Sequence, residues 1–293
     1  MPSSIPASSI AEAAVAPAPS AWRIFRHNRA AVAAGAILVL LAAFALLGPA
    51  LAPFDPVRTG VGPSMAPPGL PHLMGTDELG RDVLSRAAGG LRISLLVGLG
   101  AAGAATLIGL LVGGVAGFFG GLIDDALMRV TEVFQVIPRF FLAILLVAFF
   151  GAGLFNIIFA IAILGWPEVA RLVRAEVLTL RSRPFVDAAR VAGASRTALI
   201  VGEILPNAMG PVVVNTSLLV GQAMLLEAGL SYLGLGDPGV VSLGVMLQEA
   251  QQIMRSAWWT SAFPGLLIFL AVLALNLLGD GLNDVLDPRA RER

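Results

Sequence analysis

The stretch RSRPFVDAARVAGASRTALIVGEILP, residues 181 to 206, is an island of charge and small side chains in a chain that is otherwise apolar. With Arg171 and Arg174 just upstream, it gathers six arginines, the others being Arg181, Arg183, Arg190 and Arg196. A short loop this rich in arginine stays on the cytoplasmic side of a membrane. The spans before it must therefore be even in number if the N-terminus is also inside.

The surrounding composition makes a membrane the only reasonable solvent. Of 293 residues 57% are hydrophobic and 13% charged, against roughly 25% charged in soluble domains. All nineteen basic residues are arginine, so there is no phosphate-loop lysine and no Schiff base. No cysteine is present, which removes disulfides, thiolate metal sites and thiol nucleophiles. His27 and His72 lie in different polar segments and form no ligand cluster, and a net charge of zero argues against nucleic acid.

Working outward from the arginine-rich loop gives six spans with both termini inside. Residues 1–29 read as a cytoplasmic tail without signal-peptide character, ending in Arg23, Arg26 and Arg29. Residues 30–54 form the first span, long enough for the ~20 residues a crossing helix needs. Residues 55–92 form an external segment in which Thr76, Asp77, Glu78, Arg81 and Asp82 predict an amphipathic surface helix. Residues 93–286 hold five more spans, near 93–119, 127–150, 153–173, 209–230 and 262–282, with the cytoplasmic loop at 174–206. Gly151 and Gly153 mark the turn between the third and fourth, and residues 287–293 form a cytoplasmic tail. Gly109, Gly113, Gly117 and Gly121 recur every four residues, a spacing that lets helices approach closely in lipid; the alternative is a hinge. Trp258 and Trp259 precede the last span, where interfacial anchoring is expected.

Within the loop, Pro184 suits the first turn of a short helix and Gly193 its left-handed end. Ser195 suits the cap of a second helix, expected to stop at Leu205 because Pro206 follows. Small residues at Asp187-Ala188-Ala189 leave the backbone open to a partner's groove.

These residues resemble the E-A-A-x-x-x-G…L-P coupling motif of ATP-binding-cassette (ABC) importer permeases, with Asp187, Ala188, Ala189, Gly193, Leu205 and Pro206 in the motif positions and Asp187 replacing the usual glutamate. Three further stretches resemble the C-type subunit of the oligopeptide, dipeptide and nickel group. They are His72 to Arg86 with Gly90 and Arg92, Glu227 to Gly236, and Asn276 to Pro288, where Asn283 replaces a common basic residue. The resemblance implies an all-α type I importer permease in the bacterial inner membrane, moving peptides or a related small solute by alternating access. It implies a B-type second permease, one or two ABC ATPases that bind ATP and Mg, and an external substrate-binding protein. No cofactor, metal site or catalytic residue is expected in this chain. The rival readings are a solitary secondary transporter or channel, which should show repeats or midplane ion ligands, and an intramembrane enzyme, which needs acid pairs or a Ser/His set.

Arg139 falls inside the third span, where charge is expensive and commonly marks a pathway. It is read either as a group for a substrate carboxylate or as the partner of Glu132, seven residues earlier on the same face. A metal reading of the acidic external cluster beside His72 is the lesser alternative to a surface helix.

Overall fold

A computed structural model describes Arg26, residues 28–52 and residues 54–286. The remaining residues of the two expected tails lie outside the described set. Among the described residues the regular structure is helical, apart from one isolated bridge between Thr76 and Asp82.

Helix α1 spans Arg29–Leu51 and is capped by Asn28, whose side chain accepts from the Ala31 amide at 3.0 Å. It is apolar all round and leaves Val39, Leu40 and Leu47 exposed, as a lipid-facing helix does. Helix α2 spans Val83–Phe119. It begins ten residues before the expected span because Asp82 caps it, accepting from the Ser85 amide at 2.8 Å. The surface helix expected within residues 55–92 is absent. Residues 54–82 are instead an irregular strap, since Pro63, Pro67, Pro68 and Pro71 remove amide donors and several glycines break the run.

The expected third span is two helices, α3 (Gly121–Val136) and α4 (Arg139–Phe150), meeting at 89°. Pro138 causes the break: Ile137 before it is extended, with ψ at 134°, as proline demands of its neighbour. Helix α5 runs Leu154–Leu180, so the expected loop starts about seven residues later than Arg174. Helix α6 (Pro184–Val191), a short turn α7 (Arg196–Ala198), a π-helical segment Leu199–Ile204 and helix α8 (Leu205–Leu230) follow. The helix expected to end at Leu205 does not end. The wider π turn precedes Pro206, and the chain continues helical into the span. Helix α9 (Leu243–Ala250) lies between α8 and the last helix, α10 (Trp259–Leu286).

The heart of the bundle is the α2–α5 pair. A Cβ on Gly109 would sit 2.5 Å from the Val169 Cβ, and one on Gly117 would sit 2.8 Å from the Val177 Cβ. Gly113 lies against the Ala170 carbonyl in the same way. Gly121 is not on this face: α2 has ended, the residue has φ +57°, and nothing would meet its Cβ within 4 Å. Helix α8 crosses α2 through Gly98 against Met224, and Thr106 and Thr216 share a hydrogen bond of 2.9 Å.

These contacts sort the helix ends. Gly48 of α1 meets Ala88 of α2, and Trp259 of α10 donates to the Thr76 carbonyl at 3.0 Å, all at one end. Asn28 donates to Asp284 at 2.9 Å, and Arg181 to the Gly117 carbonyl at 2.9 Å, at the other. Because α2 finishes beside Arg181 while α5 starts at the opposite end, the bent α3–α4 pair must make the crossing between them. Among the described residues, five helical stretches and the bent α3–α4 pair are thus long and apolar enough to cross a membrane, and the 181–204 loop shares an end with Asn28 and Asp284.

Candidate functional site

The 181–204 loop is a rigid elbow. Arg181 donates to the last carbonyls of α2, at Gly117 and Phe118, and so ties the loop's root to that helix end. Pro184 is the first residue of α6, and Asp187 lies in its first turn, where the helix dipole favours an anion. Val186 is fully buried and packs with Leu199 and Ile204, which pins α6 to the π segment.

Gly193 makes the corner with φ +88°. Its amide donates to the Arg190 carbonyl and the Ala194 amide to the Ala189 carbonyl, both at 3.1 Å. That pattern closes a helix end with a left-handed residue, a conformation open to glycine at little cost. Ser195 then caps α7 by accepting from the Ala198 amide at 3.2 Å.

What the elbow presents outward is specific. Asp187, Ala188 and Val191 are exposed, Val191 at 90%, and Phe185 is partly so. Asp187 accepts from Arg190 at 2.7 Å, an exposed pair that contributes little to stability and leaves the carboxylate open to exchange partners. Leu205 and Pro206 lie behind the elbow at the start of α8 and carry it into the bundle. Sequence reading missed Val191. Its signal was an apolar residue in a polar loop beside Asp187.

Arg139 lies elsewhere, as the first residue of α4. It does not pair with Glu132, which accepts instead from Arg129 at 2.9 Å, because the break at Pro138 turns α3 and α4 onto different axes. Arg139 donates to Glu168 of α5 at 2.6 Å and, more weakly, to Gln222 of α8 at 3.4 Å. Asn215 reaches the other Glu168 oxygen at 3.5 Å. Glu168 was the residue that sequence reading passed over, although a carboxylate within a run of apolar residues is a signal in itself.

At the opposite end the strap is clamped by charge. Arg81 donates to Asp77 at 2.5 Å and to Glu249 of α9 at 2.9 Å, and Arg86 donates to Glu249 at 2.5 Å. His72 Nδ1 lies 2.9 Å from Asp82, whose other oxygen caps α2. These acids therefore hold arginines and amides, and among the described residues no three His, Asp or Glu side chains converge as metal ligands would. Trp259 is buried rather than anchored at an interface, because its indole N–H is taken by the strap.

A largely apolar, polytopic helical bundle with a polar elbow projecting from one end has the build of a multi-pass membrane transport subunit. The chain belongs to the family described as binding-protein-dependent transport system inner membrane component, which matches residues 105–292, and residues 17–68 match the N-terminal transmembrane domain of oligopeptide transport permease C. It is 42% identical over 273 residues to the dipeptide transport system permease protein DppC of Bacillus subtilis, covering 92% of this chain and 85% of that one. It is 41% identical over 274 residues to the oligopeptide transport system permease protein OppC of Escherichia coli, covering 92% and 91% of the two chains. The glutathione transport system permease protein GsiD of Pectobacterium atrosepticum is 40% identical over 277 residues, covering 92% and 90%. The chain is thus a multi-pass, C-type permease subunit of an ABC importer in the cytoplasmic membrane.

Proposed function

We propose that this subunit moves peptides inward and is driven through the elbow at residues 181–204. The observation that carries the reading is the elbow itself: a pinned helix with Asp187, Ala188 and Val191 facing outward, closed by a left-handed glycine. An exposed face of Asp187, Ala188 and Val191, bordered by the exposed Arg183 and Arg190, fits a groove on a soluble ATPase. The peptide cargo is supported by relatives named for dipeptide and oligopeptide transport.

The working complex then contains a B-type permease, one or two ABC ATPases that bind ATP and Mg, and an external binding protein. This chain hydrolyses nothing. The elbow and both tails, residues 1–29 and 287–293, face the cytoplasm, in keeping with their arginines. The strap and α9 face the binding protein, and closure of the ATPases shifts the elbow so that packed helices rock between outward- and inward-open states.

Gentle purification of the tagged chain from its native membrane, with an Asp187→Arg variant alongside, tests this. A second permease and an ATPase should accompany the wild-type chain, and the ATPase should be lost from the variant. A chain that returns alone in both preparations, and still moves solute in vesicles without ATP, would make it a solitary transporter.

A further inference from the structure

Arg139 and Glu168 form an ion pair that the elbow does not use. Arg139 opens a helix that ends at Phe150, about 17 Å away at 1.5 Å per residue, and Glu168 lies about 21 Å along α5 from Leu154. Both are therefore near mid-depth in a hydrocarbon core about 30 Å thick. Neither is buried: their side chains are 39% and 35% exposed.

A charge at this depth does not face lipid without large cost. The same face carries more evidence against lipid. Ile137 and Pro138, next to Arg139 in the chain, are exposed residues in a non-helical conformation, which at membrane depth is tolerated only where the chain lines water or packs on protein. Gln222 is exposed on α8, with Asn215 two turns away on the same side, and Arg171 is exposed one turn from Glu168. This is a polar track down an otherwise apolar bundle. Beside the pair is a cavity of about 360 Å³ walled by Phe140, Leu164, Leu219 and Leu226.

Asn215 holds Glu168 in place through its amide nitrogen, while its own Oδ1 is buried and has no hydrogen-bond partner among the described residues. The partly exposed Glu168 carboxylate suits a cationic donor, while the Arg139 guanidinium opposite suits a carboxylate.

We propose that the Arg139–Glu168 pair is a station that reads zwitterions in the translocation pathway. The terminal carboxylate of a peptide displaces Glu168 from Arg139, and its ammonium group binds the freed Glu168 carboxylate. With no cargo present the two side chains neutralise each other. A zwitterion opens the pair and re-pairs both charges, whereas a singly charged ligand leaves one charge unmatched, at a cost of several-fold or more in affinity. The apolar cavity takes the cargo's side chain. This rests on the peptide-importer reading and names the groups that discriminate.

The test uses the assembled importer in liposomes with its binding protein and three probes: dialanine, its C-terminal amide and its N-acetyl derivative. ATP-driven uptake is measured for each, and comparing preference ratios between variants cancels the selectivity of the binding protein. Arg139→Gln should lower the preference for free acid over amide about tenfold, as expected for one charge-assisted hydrogen bond, and leave the preference for free amine intact. Glu168→Gln should do the reverse. Unchanged preferences, or an equal fall for all three probes, would overturn the proposal. If the unmodified complex hydrolyses ATP yet takes up none of the three, the peptide reading itself fails.

Discussion

Gly113 shows how much a single missing atom does in this bundle. Its Cα faces the Ala170 carbonyl, and a Cβ there would also lie 2.8 Å from the Val173 Cβ. Helices joined by backbone contact have no room to give, because packed interiors tolerate little added volume. Gly113→Leu should therefore lower the stability of the detergent-purified subunit by about 3 kcal/mol or prevent its accumulation. Gly103→Leu, on an exposed face of the same helix with nothing within 4 Å, should stay within about 0.5 kcal/mol. Thermal melts followed by size-exclusion chromatography check both, and equal losses would show that the spacing has no packing role. The four-residue repeat was legible in sequence for Gly109, Gly113 and Gly117. It misled at Gly121, because a spacing carries no information about where its helix stops. Glu168 was lost for the opposite reason: hydropathy averages a window, and one carboxylate among Trp166, Pro167, Val169 and Ala170 barely alters the mean.

Between elements, the clamp joining the strap to α9 is a single acid held by two arginines. Arg86 is 1% exposed, and Glu249 is its direct hydrogen-bonded acid, with Asp77 next at 3.8 Å. Removing Glu249 leaves the buried Arg86 with only the more distant Asp77 opposite it, so Glu249→Gln should cost about 3 kcal/mol. Replacing both partners, Arg86→Met with Glu249→Leu, should recover most of that loss. Limited proteolysis of residues 54–82 in sealed, oriented vesicles reads the outcome; a strap equally resistant in all three proteins would sink the clamp. The strap's irregularity was legible in its prolines. Its partner on α9 was not, because a contact between residues 81 and 249 leaves no local trace. Proline reading was also double-edged: Pro138 breaks a helix, whereas Pro206 is absorbed by the π turn at Leu199–Ile204.

At the scale of the whole molecule, Asn28, Gly193 and Asp284 belong to one end and Leu70 and Tyr232 to the other. The chain has no cysteine, so single substitutions at these five positions report sidedness without background. A membrane-impermeant maleimide should label the first three from the cytoplasmic face only and the last two from the external face only. Labelling of Gly193→Cys from outside would invert the topology and remove the elbow from any ATPase. The crossing count came from arginine parity in the sequence; the bend within the third crossing came only from three dimensions.

From Arg196 to Leu230 the chain is continuously helical, from beneath the elbow toward the end that carries the strap. Such a rod is about 50 Å long, and tilting it by about 5° carries its tip through about 5 Å. It acts as a lever arm. Under the proposed drive through the elbow, the six-residue π segment at its base is where the elbow's displacement would be handed to the rod.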